Sequence, residues 1–212
     1  MTHTKLIIFD LDGTLVDAYE AITVSFNHVM RTLGYPLRSC AVIRRAVGWG
    51  DKKLLEPFIC AQDLPRALRI YRHSHKTDLL KKSRLFPGVR ALLAFLRRKG
   101  YLLAIASNRP TRFSLILLRH LKIRAYFDYV LCADTLTRGK PYPDILKKII
   151  KKLKVAPAEA LYVGDMTIDI QAGVNAGIKT AVVITGSHTS SELTRQHPFL
   201  LLRSVSSLKK IL

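Results

Sequence analysis

No apolar stretch of this chain approaches the roughly 20 residues of a membrane-spanning helix, so a membrane protein is not expected. Cysteine is scarce: Cys40, Cys60 and Cys132 are odd in number, scattered, and never in CxxC spacing. That argues against a disulfide frame or a zinc site and fits a reducing cytoplasm. The N-terminus has no secretory pattern, because only four apolar residues separate Lys5 from Asp10. There is no GxxxxGK[ST] segment, which sets aside nucleotide hydrolysis through a P-loop. There is also no internal repeat and no low-complexity linker. Acidic residues are few: 15 Asp and Glu face 35 Lys and Arg, a formal charge of +20.

A charge that large steers anions and raises the question of nucleic acid. The bases, however, are spread as pairs along helical patterns: Arg44-Arg45, Lys52-Lys53, Lys81-Lys82, Arg97-Arg98-Lys99, Lys147-Lys148 and Lys151-Lys152. Solvated helix faces have that spacing. The expected partner is therefore a small anionic metabolite, with nucleic acid disfavoured and the origin of the charge left open.

What is present is enough apolar residue, 49% of 212, for a proper core. "LIIFDLDGTLVD", residues 6–17, opens with an unbroken apolar run, as expected of a central strand covered on both faces. It ends in Asp10 and Asp12, which at i and i+2 on extended chain share a side. Two such carboxylates repel unless a cation or a shared proton relieves them. Further strands are expected at 102–107, 129–133, 160–164, 180–185 and, weakly, 199–202. Helical patterns lie between them, for example "VRALLAFLRRK" at 89–99 stopped by Gly100. The alternation indicates an α/β fold with a doubly wound parallel sheet. From Val16 to about Arg84 no strand is evident, only helical patterns at 17–33, 39–46, 49–59 and 64–80, with Asp17 as the first N-cap. The expected organisation is a core of residues 1–15 and 85–212 with a small all-helical cap, 16–84, inserted after the first strand. "LFPGV", 85–89, marks the return to the core.

Ligands of open parallel sheets bind beyond the C-terminal strand ends. There the chain places Asp10 and Asp12; Ser107, Asn108 and Arg109; Asp134, Arg138, Gly139 and Lys140; and "GDMTID" with Asp165 and Asp169. Four aspartates (10, 12, 165, 169), a hydroxyl and a lysine at one sheet edge suit Mg²⁺ held by carboxylates and a substrate phosphate. They also suit a carboxylate nucleophile and groups that hold phosphoryl oxygens.

"DLDGTLVD", "ASN", "GKPYPD" and "GDMTID" resemble, in order and spacing, the four motifs of the haloacid dehalogenase superfamily of phosphatases. The dehalogenases themselves lack the second aspartate of the first motif, so Asp12 points to phosphate chemistry. The resemblance implies that Asp10 attacks phosphorus. It implies that Asp12 protonates the leaving oxygen and then activates water. Mg²⁺ would sit on Asp10, the Asp12 carbonyl and Asp165. Asp169 would act one step back, on a water of the metal or on Lys140. Ser107 and Lys140 would hold phosphoryl oxygens, aided by N–H groups near Leu11 and Asn108.

Each residue also has a plainer role open to it: Asp12 a turn, Ser107 a strand end, Asp169 a helix-dipole charge, Arg109 a solvated base, Asp17 and Asp144 caps or braces. "IRRAVGWGDKKLL", 43–55, is similar to the "VGxG" segment of phosphoglycolate phosphatases of the same superfamily. On that likeness Arg44 or Arg45 would meet a substrate carboxylate; the alternative is a helix–helix turn with Trp49 buried in it. The implied activity is Mg²⁺-dependent hydrolysis of a small phosphate monoester, 2-phosphoglycolate first, in a monomer or dimer. A sugar phosphate, a nucleotide or pyrophosphate stands close behind. A phosphomutase and a basic nucleic-acid binder are the readings from other classes.

Overall fold

The computed structural model describes residues 4–212. The chain begins with β1 (Leu6–Phe9) and β2 (Val16–Asp17), followed by four helices, α1 (Tyr19–Leu33), α2 (Cys40–Ala46), α3 (Asp51–Leu55) and α4 (Leu64–Lys82). β3 (Arg84–Leu85) leads back to α5 (Val89–Arg98), β4 (Leu102–Ser107), α6 (Thr111–His120) and β5 (Tyr129–Cys132). Then come α7 (Asp144–Leu153), β6 (Ala160–Gly164), α8 (Thr167–Ala176), β7 (Lys179–Val183), α9 (Ser190–Thr194) and β8 (Leu200–Leu202).

Six strands form one parallel sheet in the order β5-β4-β1-β6-β7-β8. β1 lies between β4 and β6, with Leu6 opposite both Leu102 and Ala160. That position accounts for its unbroken apolar run. Successive side chains alternate faces, and both faces are covered. Ile7 and Phe9 join one core with Leu92 and Leu96 of α5 and Leu117 of α6. Leu6 and Ile8 join the other with Ile145 and Ile149 of α7 and Ala172 of α8. The strand order reverses around β1, so the loop after it opens into a crevice at the sheet's C-terminal edge.

Residues between β1 and α5 form the helical insert, whose α1 and α4 pack side by side. The expectation of no strand there needs one correction. β2 and β3 pair antiparallel, Val16 opposite Leu85 and Asp17 opposite Arg84, and tie the two ends of the insert together. Two-residue strands are too short to carry an alternating pattern. This pairing also explains why Asp17 is not the N-cap. Ala18 holds that position, while Asp17 takes an ion pair from Arg84 at 3.0 Å. The pattern at 49–59 is split: α3 gives way to a single 3₁₀ turn at Glu56–Phe58, where Pro57 has no N–H to continue an α-helix. Trp49 is 46% exposed, so it is not a buried turn aromatic. The C-terminal segment packs on the core as a 3₁₀ turn at Val205–Lys210 with Val205 and Leu208 buried. Among the described residues no helix is long and apolar enough to cross a membrane.

Candidate active site

The strand ends bring together the residues that the motifs single out. Asp10 leaves β1 with its N–H bonded to Val163 O of β6, which fixes its backbone at the sheet edge. Its Oδ1 lies 2.8 Å from Lys140 Nζ. Lys140 is itself buried and also meets Asp169 Oδ1 at 2.8 Å and the Tyr162 hydroxyl at 3.0 Å. Asp169 is saturated. Its Oδ1 takes Lys140 and the Tyr162 O–H at 2.7 Å, and its Oδ2 takes the N–H groups of Asp165 and Met166 at 3.1 and 2.9 Å. Asp169 therefore positions Lys140 and the Asp165 loop at once. Asp165 accepts from Thr14 Oγ1 at 3.1 Å and from the Ser187 N–H at 3.4 Å.

Asn108 is a bracket. Its Oδ1 accepts from the Lys140 N–H at 2.9 Å, and its Nδ2 donates to the carbonyls of Lys140 and of Gly48 in the insert, at 3.1 and 2.9 Å. Ser107 is buried beside it and its Oγ accepts the Arg109 N–H at 3.2 Å. Asp134 and Arg138 lie apart from the cluster. Asp134 receives the Thr111 N–H at 3.0 Å at the start of α6, and Arg138 pairs with Asp144 at 3.3 Å.

Carboxylate oxygens of Asp10, Asp165 and Asp169 lie within 4.8 Å of one another. Burial pushes Asp10 up to about 7, Lys140 opposing and Asp169 assisting. Burial, then the charges of Asp169 and Asp10, push Asp165 well above the ordinary carboxylate range. Burial acts on Asp169 too, yet Lys140 and its hydrogen bonds bring it below its usual value. A cluster with two carboxyls pushed towards neutrality and a third fully bonded fits a divalent cation. Hard oxygens are available on Asp10 and Asp165, with the Asp12 carbonyl nearby in sequence. Space is equally tight: a Cβ on Gly186, or on Gly13 at φ +81°, would collide with Asp165 Oδ2.

These shifts carry a signed prediction. Asp10 ordinarily titrates at 3.8, so the folded protein keeps a proton that the unfolded chain has released. Its contribution to stability falls as pH rises from about 4 to about 7. A divalent cation displaces that proton. The rise in Tm on adding Mg²⁺ should be small at pH 5 and grow to a plateau near pH 8; an increment that does not change with pH would argue against carboxylate ligands.

Beyond the carboxylates lies a cavity between insert and core. Its empty volume is about 490 Å³, open solvent at the mouth included. Ile22, Leu54, Tyr71 and Phe113 give it apolar walls, and Asp10, Asp12, Ser107 and Arg109 its polar floor. Arg109, buried, holds Asp12 with two parallel bonds, Nε to Oδ2 at 2.8 Å and Nη2 to Oδ1 at 2.7 Å. His75 of α4 reaches in from the insert. The sequence reading passed over it, although Ala67, Tyr71, His75 and Leu79 recur every four residues as the buried stripe of α4. A lone imidazole in that stripe was the available signal.

Arg44 and Arg45 are not among the residues that line the cavity. Arg44 stacks over Tyr19 at 4.2 Å and donates to the carbonyls of Thr185 and Gly186, both at 2.8 Å. Arg45 donates to Ser187 O at 2.7 Å and pairs with Glu192 at 2.6 Å. Partners more than a hundred residues away along the chain hold both arginines, for which a substrate contact was expected, against the loop after β7.

Comparison with known proteins agrees with this fold. The phosphoglycolate phosphatase of Nitrosococcus oceani is 30% identical over 220 aligned residues, covering 100% of this chain and 98% of that protein. That of Aquifex aeolicus is 30% identical and covers 98% and 96%. A crystal structure from Haemophilus somnus, described as a predicted phosphoglycolate phosphatase, superposes with a TM-score of 0.93 at 26% identity, covering 100% and 99%. The family profile for haloacid dehalogenase-like hydrolases matches residues 7–183, from the first residues of β1 to the last of β7, and the chain belongs to that family.

Proposed function

We propose that this protein is a Mg²⁺-dependent phosphomonoesterase that transfers the phosphoryl group of a small anionic ester to Asp10 and then to water. The observation that carries the reading is the Asp10–Lys140–Asp169 chain beside Asp165, at the floor of a cavity closed by a helical insert. Lys140 keeps a positive charge against Asp10 in spite of its burial, because Asp10 and Asp169 hold its proton. In the first half-reaction an Asp10 oxygen bonds to phosphorus, the ester bond breaks, and Asp12 gives a proton to the leaving oxygen. In the second, Asp12 takes a proton from water, whose oxygen displaces Asp10 and releases inorganic phosphate. Ser107, Lys140 and the N–H groups of Leu11 and Asn108 hold the phosphoryl oxygens. Mg²⁺, held by Asp10, Asp165 and the Asp12 carbonyl, would supply neutralisation of phosphoryl charge. Residues 16–84 act as the cap on a core of 1–15 and 85–212, of which residues 1–3 lie outside the described residues.

The relatives' names make 2-phosphoglycolate the first substrate to assay. The expected result is release of inorganic phosphate with Mg²⁺ and none with excess chelator. Conversion of a sugar phosphate to its isomer without phosphate release would instead indicate a mutase, and silence across a broad panel of phosphate esters would overturn both.

A further inference from the structure

The cavity holds one permanently cationic side chain among its lining residues, Arg109, and three carboxylates, Asp10, Asp12 and Asp51. Asp51 is already matched by Arg72 at 2.6 Å, and Lys140 by Asp10 and Asp169. Arg44 and Arg45 are committed to the loop after β7. A second anionic group on a substrate therefore has one cation to meet, and that cation grips Asp12. A carboxylate held at both oxygens by a guanidinium cannot turn towards a leaving oxygen.

The way Arg109 is mounted is unusual for a static ion pair. Two of its nitrogens serve Asp12, and the third, Nη1, donates to His75 Nε2 at 2.9 Å. For Nε2 to accept, the imidazole is neutral with its proton on Nδ1. Burial and the Arg109 charge favour the neutral ring, pushing His75 down to about 2. Nδ1 then donates to Ser25 Oγ at 2.9 Å, and the Ser25 hydroxyl has Asp78 Oδ2 at 2.7 Å and the Ala21 carbonyl at 2.9 Å as its acceptors. The ring is also fixed by stacking on Tyr71, centroids 4.6 Å apart, and by the edge contact with Phe113 at 5.2 Å. One corner of the guanidinium is thus pinned from the insert, while the edge that holds Asp12 faces the cavity.

The geometry points to Arg109 as an exchangeable clamp: pivoting on His75, it passes its two-pronged grip from Asp12 to the carboxylate of the substrate, and so frees Asp12 only when an acidic leaving group is present. The same fork fits either carboxylate, since both present two oxygens in one plane. This inference rests on the phosphatase reading and assigns to Arg109 the recognition of a carboxylate on the leaving group. It places selectivity in kcat as well as in KM, because an ester without the second anion leaves Asp12 gripped.

The test compares three esters: 2-phosphoglycolate, ethylene glycol monophosphate with a hydroxymethyl in place of the carboxylate, and p-nitrophenyl phosphate, whose leaving group needs no proton. The wild type should favour 2-phosphoglycolate over the glycol ester in kcat/KM by on the order of 10²-fold or more. Arg109→Gln should shrink that preference to about fivefold or less. It should do so by losing rate on 2-phosphoglycolate while raising kcat on the glycol ester. Arg109→Lys keeps the charge without the fork; should the Gln variant fail to fold, an at least tenfold smaller preference in this one, roughly, is the supporting result. A preference that survives both substitutions, or equal losses on both esters, overturns the clamp. So does a wild type that cleaves p-nitrophenyl phosphate yet does not distinguish the other two, and the phosphatase reading then stands. Silence on 2-phosphoglycolate overturns the clamp, while the phosphatase reading falls only with silence across the broad ester panel.

Discussion

Asp10→Asn should abolish turnover, by on the order of 10⁴- to 10⁶-fold in kcat, while the protein stays folded. The amide is nearly the same size and sits in the same hydrogen-bonded backbone position, but it cannot form the bond to phosphorus. Stability should change little. Lys140 loses one ionic partner yet keeps Asp169 at 2.8 Å and the Tyr162 hydroxyl at 3.0 Å. Removing the Asp10 carboxylate also removes a charge that burial opposes. Phosphate release and a thermal melt on the same sample check both halves. An Asn variant that melts like wild type and retains a tenth of its activity, roughly, would exclude Asp10 as the nucleophile.

Lys140→Ala should damage both activity and fold. Lys140 is the shared cation of Asp10 and Asp169, all three buried. Taking one partner from a buried pair leaves an uncompensated charge, which costs about 3–5 kcal/mol. The pH sign follows from Asp169, which Lys140 holds below its ordinary value. A carboxylate with a lowered folded pKa stabilises the protein above its unfolded value and stops doing so as pH falls through the folded one. Without Lys140 that stabilisation goes, and the stranded carboxylates are neutralised more easily in acid. Urea unfolding should show a large loss at pH 8 that narrows at pH 5. Activity should fall by about 10³-fold or more, because the phosphoryl oxygens lose their ammonium partner. A constant stability loss across that pH range would mean that the lysine's packing rather than its charge matters.

What was legible in the sequence was local. β1 shows itself because its four residues are covered on both faces, so all four are apolar. The loops after β1, β4 and β6 could be listed because a parallel sheet sends its strand ends to one edge, and Asp10, Ser107, Asp165 and Asp169 do gather there. The rest depended on partners distant along the chain. Arg109 and Asp12 are 97 positions apart, Arg109 and His75 34, Arg45 and Glu192 147. No pattern within a helix or strand tells an arginine which of these it will meet. For that one reason the sequence leaves Arg109 open between a site residue and a solvated base, and does not show that Arg45 meets Glu192. Likewise the pairing of Val16 with Leu85 rests on two residues a side, below the length at which alternation means anything.

That short pairing matters for inheritance. The chain departs at Asp17 and returns at Arg84 on adjacent backbone, so a core without the insert would need only a tight turn to reconnect. Closing a longer or shorter excursion across the same gap is cheap, about 0.6 kcal/mol for each doubling of its length. Asp10, Lys140, Asp165 and Asp169 all lie outside the excursion; Leu54, Tyr71 and His75, which shape the cavity, lie inside it. Two neighbouring crossover points thus suffice to exchange the insert's wall of the cavity as a cassette while Asp10, Lys140, Asp165 and Asp169 stay in place.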